Sequence, residues 1–531
     1  MASSSLAVPA ARRAKRDLVG AASIMMGAFV LSRATGLLRT VVVSAAFGTG
    51  PEMDAYVAAI FLPDLIFQIV AGGAVASAFI PVLSGYLARD DADGVWRLVS
   101  SLFSLALVIL LPICLLLGLF APEVLGLLVS GYAPEQVRLA ANLTRILLGS
   151  PIFFALGTLT TSVLNAHQRF LLAALAPTTY NAGIILGALL LARPFGIYGL
   201  AIGAATGALG FLLIQLPGLV RCGLVFRPRL GLDDPGVRQV AALVAPRTVG
   251  LAVAQVNFGA IIALASSIPG AVTALNYAWT LMMLPLGVFA MAISTAVFPT
   301  LAEQTARDQL VEMRTTLSAT LRVILYLTIP ASIGLMVLAE PIVRLLLERG
   351  QFGPTSTALT VYALRFYALA LIGQAAVEIV TRAFYALRDT RTPVVVAAIA
   401  MVANLSLALL LRPSLGHGGL ALALATASGI EAALLLALAR RRLGGLDDVR
   451  LAASTIRSLA GASALALVVV PVLRALDLAL GQTTLVDRLV VVGGAVALGA
   501  IVYAGATIAL RAEEPMRVIA MVRERLGRAP C

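Results

Sequence analysis

Apolar stretches of roughly 18 to 30 residues, each long enough to cross a bilayer as a helix, recur from Leu18 to Leu510, and no other feature constrains the fold as tightly. A crossing needs about 20 apolar residues, so with short connections the 531 residues hold about fourteen of them. A membrane β-barrel would show segments of about ten residues with alternating polarity, and nothing here alternates. The expected fold class is all-α: a polytopic membrane protein of about fourteen transmembrane helices, the first over 18–46 and the last over 487–510. Composition agrees, with 12% charged residues against the roughly 25% of soluble domains.

The net charge of +13 does not point to nucleic acid, because the arginines sit mostly in short loops between apolar runs and form no patch on a soluble domain. They read as topology signals. Arg12, Arg13, Lys15 and Arg16 precede the first span, and Arg-rich connections then alternate with Arg-poor ones such as Phe47–Pro51 and Ser267–Gly270. Both termini are therefore expected in the cytoplasm. The first span keeps Arg33 and Arg39 and lacks a small-residue cleavage site, which reads as a retained helix and not a signal peptide. The tail from Arg511 to Cys531, with Arg517, Arg523, Arg525 and Arg528, reads as a basic helix on the cytoplasmic membrane surface. Cys114, Cys222 and Cys531 have no paired spacing, and His167 and His417 lie far apart, so neither a disulfide framework nor a metal site is implied.

An internal repeat divides the chain. Gly196-Ile197-Tyr198-Gly199-Leu200-Ala201 recurs 220 residues later as Gly416-His417-Gly418-Gly419-Leu420-Ala421, and the segment Leu164–Arg169 has a looser echo in Leu387–Arg391. Leu62-Pro63 leading to Phe79–Leu83 is echoed by Leu284-Pro285 leading to Phe298–Leu301. These pairs predict two six-helix lobes running the same way through the membrane, with the last two helices outside the repeat. The expected divisions are a basic amino terminus over 1–17, lobes over 18–220 and 221–440, two further helices over 441–510 and the tail over 511–531.

Charges inside the spans are the candidate site. A charge near the bilayer centre needs a partner, a water-filled cavity or a function. Arg33 and Arg39 flank Gly36 in the first span, about 9 Å apart along the axis and on different faces. Guanidinium groups fit phosphate oxygens bidentately and stay charged, so the pair suits a diphosphate; snorkelling or capping is the other reading of Arg39. Asp54 opens the second span, either pairing with an arginine or simply favouring the helix start. Asp64 follows Pro63 deeper in that span. Glu378 and Arg382 stand at i and i+4, the spacing of an intrahelical ion pair, whereas Glu431 has no local partner and is a candidate cavity or coupling carboxylate. Pro63, Gly72, Gly73 and Pro81, with Pro285, Gly287 and Pro299, predict interrupted helices at matching places in the two halves; packing of small residues is the alternative. Lys15 is the only lysine, so no phosphate-binding Gly-x-x-x-x-Gly-Lys loop exists, and metalloprotease and Gly-x-Ser-x-Gly motifs are absent. The chain reads as a secondary transporter, not an enzyme, without a cofactor and with its coupling ion unassigned.

With these residues in view the chain resembles the MurJ (MviN) lipid II flippase family of the MOP superfamily. The match runs through Ser32–Arg39, Phe47-Gly48 with Asp54-Ala55, Leu62-Pro63, Pro151–Phe154, Leu164–His167 with Arg169-Phe170, Ala176-Pro177 with Tyr180-Asn181, Pro246-Arg247, Leu275–Ala278, Glu348–Phe352 and Phe384–Pro393. The resemblance implies lobes that rock between inward-open and outward-open states, with the family's cavity arginines at Arg33 and Arg39 and an acidic residue at Asp54. Its implied setting is the bacterial plasma membrane, its substrate a lipid-linked glycan, and its partners membrane lipids and the cell-wall synthesis machinery. There are departures. Phe61, Phe67, Gln68 and Gly72 stand where the family usually has further charges in the second span, Trp279, Thr280 and Met283 replace a charged cluster in the eighth, and a seventh-span acidic residue aligns near Ile262. The expected function is flipping of an undecaprenyl-diphosphate-linked peptidoglycan precursor. The alternatives are another lipid-linked glycan, a cation-coupled small-molecule exporter, or a non-transporting scaffold of cell-wall synthesis.

Overall fold

A computed structural model describes residues 27, 28, 30–71, 73–480 and 484–516, the side chains of 71–77, 245–254, 479 and 480 excepted. The amino-terminal basic cluster, Gly72, the side chains of Pro246 and Arg247, and the tail arginines from Arg517 onward lie outside the described residues. Among the described residues every regular element is a helix. Its first half comprises α1 (Val30–Phe47), α2 (Pro51–Ala71), α3 (Gly73–Leu87), α4 (Ala92–Leu119), α5 (Ala121–Leu128), α6 (Pro134–Leu147), α7 (Ser150–Ala166), α8 (Phe170–Leu186), α9 (Ala192–Phe195), α10 (Ile197–Leu213), α11 (Leu216–Arg221) and α12 (Pro235–Ala265). The second half comprises α13 (Ala271–Pro285), α14 (Ala292–Ala306), α15 (Leu310–Val337), α16 (Ala339–Leu346), α17 (Pro354–Ala386), α18 (Arg391–Leu443), α19 (Asp448–Leu480) and α20 (Leu485–Ala509).

Among the described residues, twelve helices are long and apolar enough to cross a membrane. Two features account for the difference from fourteen. The 53-residue α18 contains a non-helical Gly416 where two helices meet, and α12, whose side chains over 245–254 lie outside the described residues, is not among the twelve. Counting both arms of α18 and all of α12 restores the expected number.

The chain forms two compact units, residues 1–263 and 264–531. The repeat places its boundary earlier, at 220/221, and the intervening α12 stands almost entirely with the first unit. Backbone conformation follows the repeat closely. Gly196 has φ 56°, ψ −138° and Gly416 has φ 55°, ψ −134°, a region that only glycine enters without strain. Gln168 and Arg388, also 220 apart, both have φ 58°. A Cβ on Gly199 would strike the Leu191 carbonyl group at 2.4 Å, and one on Gly419 the Leu411 carbonyl group at 2.5 Å. The same two turns are thus built twice.

In the first unit, α8 and the turn after it cross α10 through Gly183, Gly187, Gly199, Gly203 and Gly207, four residues apart on each side. Added Cβ atoms at Gly183, Gly187 and Gly203 would lie 2.4–2.7 Å from the opposing backbone. Lipid tails are as apolar as leucine, so close backbone approach replaces the hydrophobic effect as the source of helix association. In the second unit α17 is central, packing against α13, α14, α15, α16 and α18. Ser332 donates to the Ala368 carbonyl at 2.6 Å, joining α15 to α17 in the interior.

Prolines behave differently from the sequence expectation. α2 continues through Pro63, α3 through Pro81 and α14 through Pro299, so these residues do not interrupt their helices. Of these four prolines only Pro285 is followed by a change, a π-helical stretch at Leu286–Met291 that contains Gly287 and interrupts the eighth span where the sequence predicts it. A mid-helix proline frees the carbonyl four residues earlier. For Pro63 that is Ala59, which accepts a hydrogen bond from Thr144 Oγ1 at 3.2 Å. For Pro330 it is Tyr326, which accepts from the Tyr503 hydroxyl at 2.7 Å. A neighbouring hydroxyl thus removes the need to break the helix. Tyr503→Phe should destabilise the second unit by about 1–3 kcal/mol, the cost of a buried acceptor left unsatisfied, measured by unfolding in mixed micelles. An unchanged midpoint would show that the carbonyl finds another donor.

Candidate functional site

α1 attaches to the first unit by one stripe. Gly36, Thr40, Val43 and Ser44 recur at helical spacing, the last three buried, whereas Val30, Leu31 and Leu38 are exposed. Gly36 makes room for α8: a Cβ there would touch Asn181 Nδ2 at 3.7 Å, and that amide donates to Thr35 Oγ1 at 3.3 Å and the Ser32 carbonyl at 3.4 Å. This contact sets the rotation of α1. It leaves Arg33 exposed and Arg39 half-buried, on different faces as the spacing requires.

Arg39, Asp64 of α2 and Tyr180 of α8 lie within electrostatic range of one another. Asp64 is exposed and Arg39 and Tyr180 are half-buried, so none of the three is sealed in the core. A carboxylate and a guanidinium placed this way reduce each other's cost inside a span, and Arg39 keeps donors for an incoming anion. Next to them stands an aromatic wall. Phe154 lies 4.9 Å from Tyr180, 5.4 Å from Phe67 and 5.3 Å from Phe211, centroid to centroid. Phe61 is buried against Phe258 at 6.0 Å and serves packing.

The other expected residues are dispersed. Asp54 is only 1% exposed, in the first turn of α2 where a negative charge favours the helix. Tyr132 donates to the Asp54 carbonyl at 3.1 Å. Burial first, and then the Asp54 charge, push the Tyr132 phenol above its ordinary range. Asp54 is therefore enclosed, not brought to the surface that holds Arg39. In the second unit, Arg382 Nη2 and Nε donate to Glu378 Oε1 at 2.5 and 3.1 Å, the intrahelical ion pair that the spacing predicts. Glu431 is half-buried and has no ion-pair or hydrogen-bond partner among the described residues. Among the described residues no group of three His, Cys, Asp or Glu side chains could hold a metal ion.

Two arginines escape the sequence reading. Arg322 of α15 is 5% exposed, and Arg365 of α17 faces a cavity. A lone arginine inside an apolar run was the available signal for both.

The connection before α18 is held by Asp389. Its carboxylate accepts from the Thr392 backbone N–H at 3.0 Å and hydroxyl at 2.7 Å, and pairs with Arg442 at 2.9 Å. The Thr392 backbone hydrogen bond first, then its side chain and Arg442, hold this carboxyl below the ordinary carboxylate range. A depressed folded pKa gives stability that is present above the unfolded value of about 3.9 and is lost as pH falls through the folded value. The stability difference between the native chain and Asp389→Asn should accordingly stay constant from neutral pH to about 5 and shrink below about 4. A difference that grows on acidification would contradict this.

Known proteins match this architecture. A family model described as "Lipid II flippase MurJ" matches residues 43–491. The chain is 34% identical over 424 residues to the probable lipid II flippase MurJ of Rhizobium meliloti (strain 1021), covering 77% of this chain and 78% of that protein. It is 30% identical over 436 residues to the lipid II flippase MurJ of Burkholderia cenocepacia, covering 80% and 84%. Among solved structures, a lipid II flippase MurJ in an inward closed conformation aligns over 95% of this chain and 99% of that one, with a TM-score of 0.76 at 24% identity. An inward-facing MATE family multidrug transporter of the MOP superfamily aligns over 80% of this chain and 99% of that one, with a TM-score of 0.68 at 15% identity. The two structural likenesses establish the fold. Given a family model that spans most of the residues and relatives of this identity and coverage, the chain belongs to the lipid II flippase MurJ family.

Proposed function

We propose that this protein is a secondary transporter of the bacterial plasma membrane that moves a polyprenyl-diphosphate-linked peptidoglycan precursor, lipid II, from the cytoplasmic to the outer leaflet by alternating access. The observation that carries the reading is Arg39. In a chain of this family, a guanidinium stands accessible inside a membrane span, steadied by Asp64 and not consumed by a tight ion pair. Such a group recognises a diphosphate by two parallel charge-assisted hydrogen bonds, and it holds its charge through the cycle. Arg33, about two turns away on the same helix, supplies the second cation when the headgroup lies along α1. The aromatic wall of Phe67, Phe154 and Tyr180 presents an apolar and polarisable face beside the cation, suited to a glycan or to the first isoprene units.

Expression of the chain in a bacterium depleted of its own flippase should restore growth, and Arg39→Ala at equal membrane abundance should not. Rescue by both versions would remove the guanidinium from the mechanism. A second reading, carriage of a different lipid-linked glycan, is favoured by Phe67 and Gln68 standing where the family usually has charges. Competition by other polyprenyl-diphosphate glycans in a vesicle assay separates the two.

A further inference from the structure

The second unit contains a cavity of about 410 Å³ that the proposed transport does not use. Its walls come from α16, the loop after it and the first turns of α17, including Arg344, Glu348, Thr357, Val361, Tyr362 and Arg365. It lies at the end of α17 away from the Arg388–Arg391 connection.

The acidic groups here are already neutralised. Glu340 pairs with Arg344 at 2.6 Å. Glu348 accepts from Thr357 Oγ1 at 2.7 Å and from Arg488 Nη2 at 3.3 Å. Arg365 differs: it is exposed to the cavity and has no hydrogen-bond, ion-pair or ring partner among the described residues. Its depth makes that notable. The 33 residues of α17 extend about 50 Å at 1.5 Å per residue, some 20 Å beyond the hydrocarbon thickness, and Arg365 lies about 17 Å from the Pro354 end. A helix centred in the bilayer puts that guanidinium below the headgroups, where a cation is costly unless water or an anion meets it. The cavity admits either. Its remaining wall is apolar, with Val361 and the Tyr362 ring, which is 37% exposed and held edge-on by Phe366 at 5.3 Å and His417 at 5.2 Å.

We propose that this cavity is a binding site for the phosphate anion of an amphiphile, anchored by Arg365, with Tyr362 and Val361 against the apolar part. A bidentate guanidinium–phosphate contact satisfies the cation, and the volume falls within the range of small-molecule sites. Phosphate is the oxyanion that a bilayer itself presents, in the headgroup layer just above this depth. The site rests on α16, the loop after it and α17, and is independent of the flippase reading.

Purified full-length protein in detergent, titrated with dihexanoyl phosphatidylglycerol and separately with inorganic phosphate, tests it through the rise in unfolding temperature. A saturable rise with the lipid alone identifies a headgroup with its apolar body as the ligand, and a rise with both identifies the free anion as sufficient. In either case Arg365→Gln should weaken the effect at least tenfold. Ala358→Trp fills the cavity, leaves the arginine in place and should abolish the effect, so it decides the matter if Arg365→Gln does not fold. No saturable rise in the native chain, or an undiminished one in Ala358→Trp, overturns the proposal.

Discussion

Replacing Arg322 with alanine is expected to destabilise the second unit by about 3–5 kcal/mol, the cost of leaving the other member of a buried ion pair without its partner. Arg322 Nη1 lies 3.5 Å from a Glu513 carboxylate oxygen and 3.8 Å from one of Glu514. Glu513 is more than half exposed and keeps water, so the substitution costs little there. Glu514 is 2% exposed and would stay enclosed with its charge uncompensated. The pair ties the segment after α20 to α15, next to the buried contacts of Tyr326, Tyr503 and Thr507. Removing both charges together, as Arg322→Leu with Glu514→Leu, should recover most of the loss, because an apolar pair of similar volume no longer needs solvation. Reversible unfolding in mixed micelles measures both. Equal losses in the single and double variants would mean that the ion pair is not the source of the effect.

The largest functional effect is expected at Arg39. Arg39→Ala should lower the transport rate per molecule about 10- to 100-fold, since a hydrogen bond to a charged group contributes about 1.5–3 kcal/mol. Arg39→Lys should fall between the two. An ammonium keeps the charge beside Asp64 but cannot offer two parallel donors to a diphosphate. Rates are compared after confirming equal unfolding midpoints, so that loss of the Asp64 partner is not mistaken for loss of substrate contact. A lysine variant as inactive as alanine would assign the geometry of the fork, not the charge, as decisive. A fully active lysine variant would assign the charge.

The sequence makes the fold legible because bilayer thickness turns helix length into a pattern that one chain displays without comparison. The repeat is legible for a related reason: Gly196 and Gly416 occupy a backbone conformation that excludes other residues, so the same letters recur where the same turn is built. Prolines mislead because their effect depends on a neighbour. Pro63 leaves α2 intact only because Thr144, 81 residues later, supplies a donor to Ala59. The candidate site is legible in part. Charges inside apolar runs identify Arg33, Arg39, Asp64 and Glu431, and i,i+4 spacing identifies the Glu378–Arg382 pair. Which charges meet is a tertiary fact. Arg39 comes within electrostatic range of Asp64 on a helix whose seating Gly36 and Asn181 set, whereas Asp54, equally prominent in sequence, is sealed under Tyr132. Arg365 and Arg322 pass unnoticed because nothing local separates a cation facing a cavity from one enclosed with a carboxylate two hundred residues away.

The most direct test is transport itself: the purified chain in vesicles containing lipid II labelled in its headgroup, with outward movement followed by the access of a membrane-impermeant reagent. Native protein should accelerate translocation over empty vesicles, and Arg39→Ala should bring the rate most of the way back to that background. Acceleration that persists in Arg39→Ala and in Arg33→Ala, at equal incorporation, would contradict a diphosphate held by the arginines of α1.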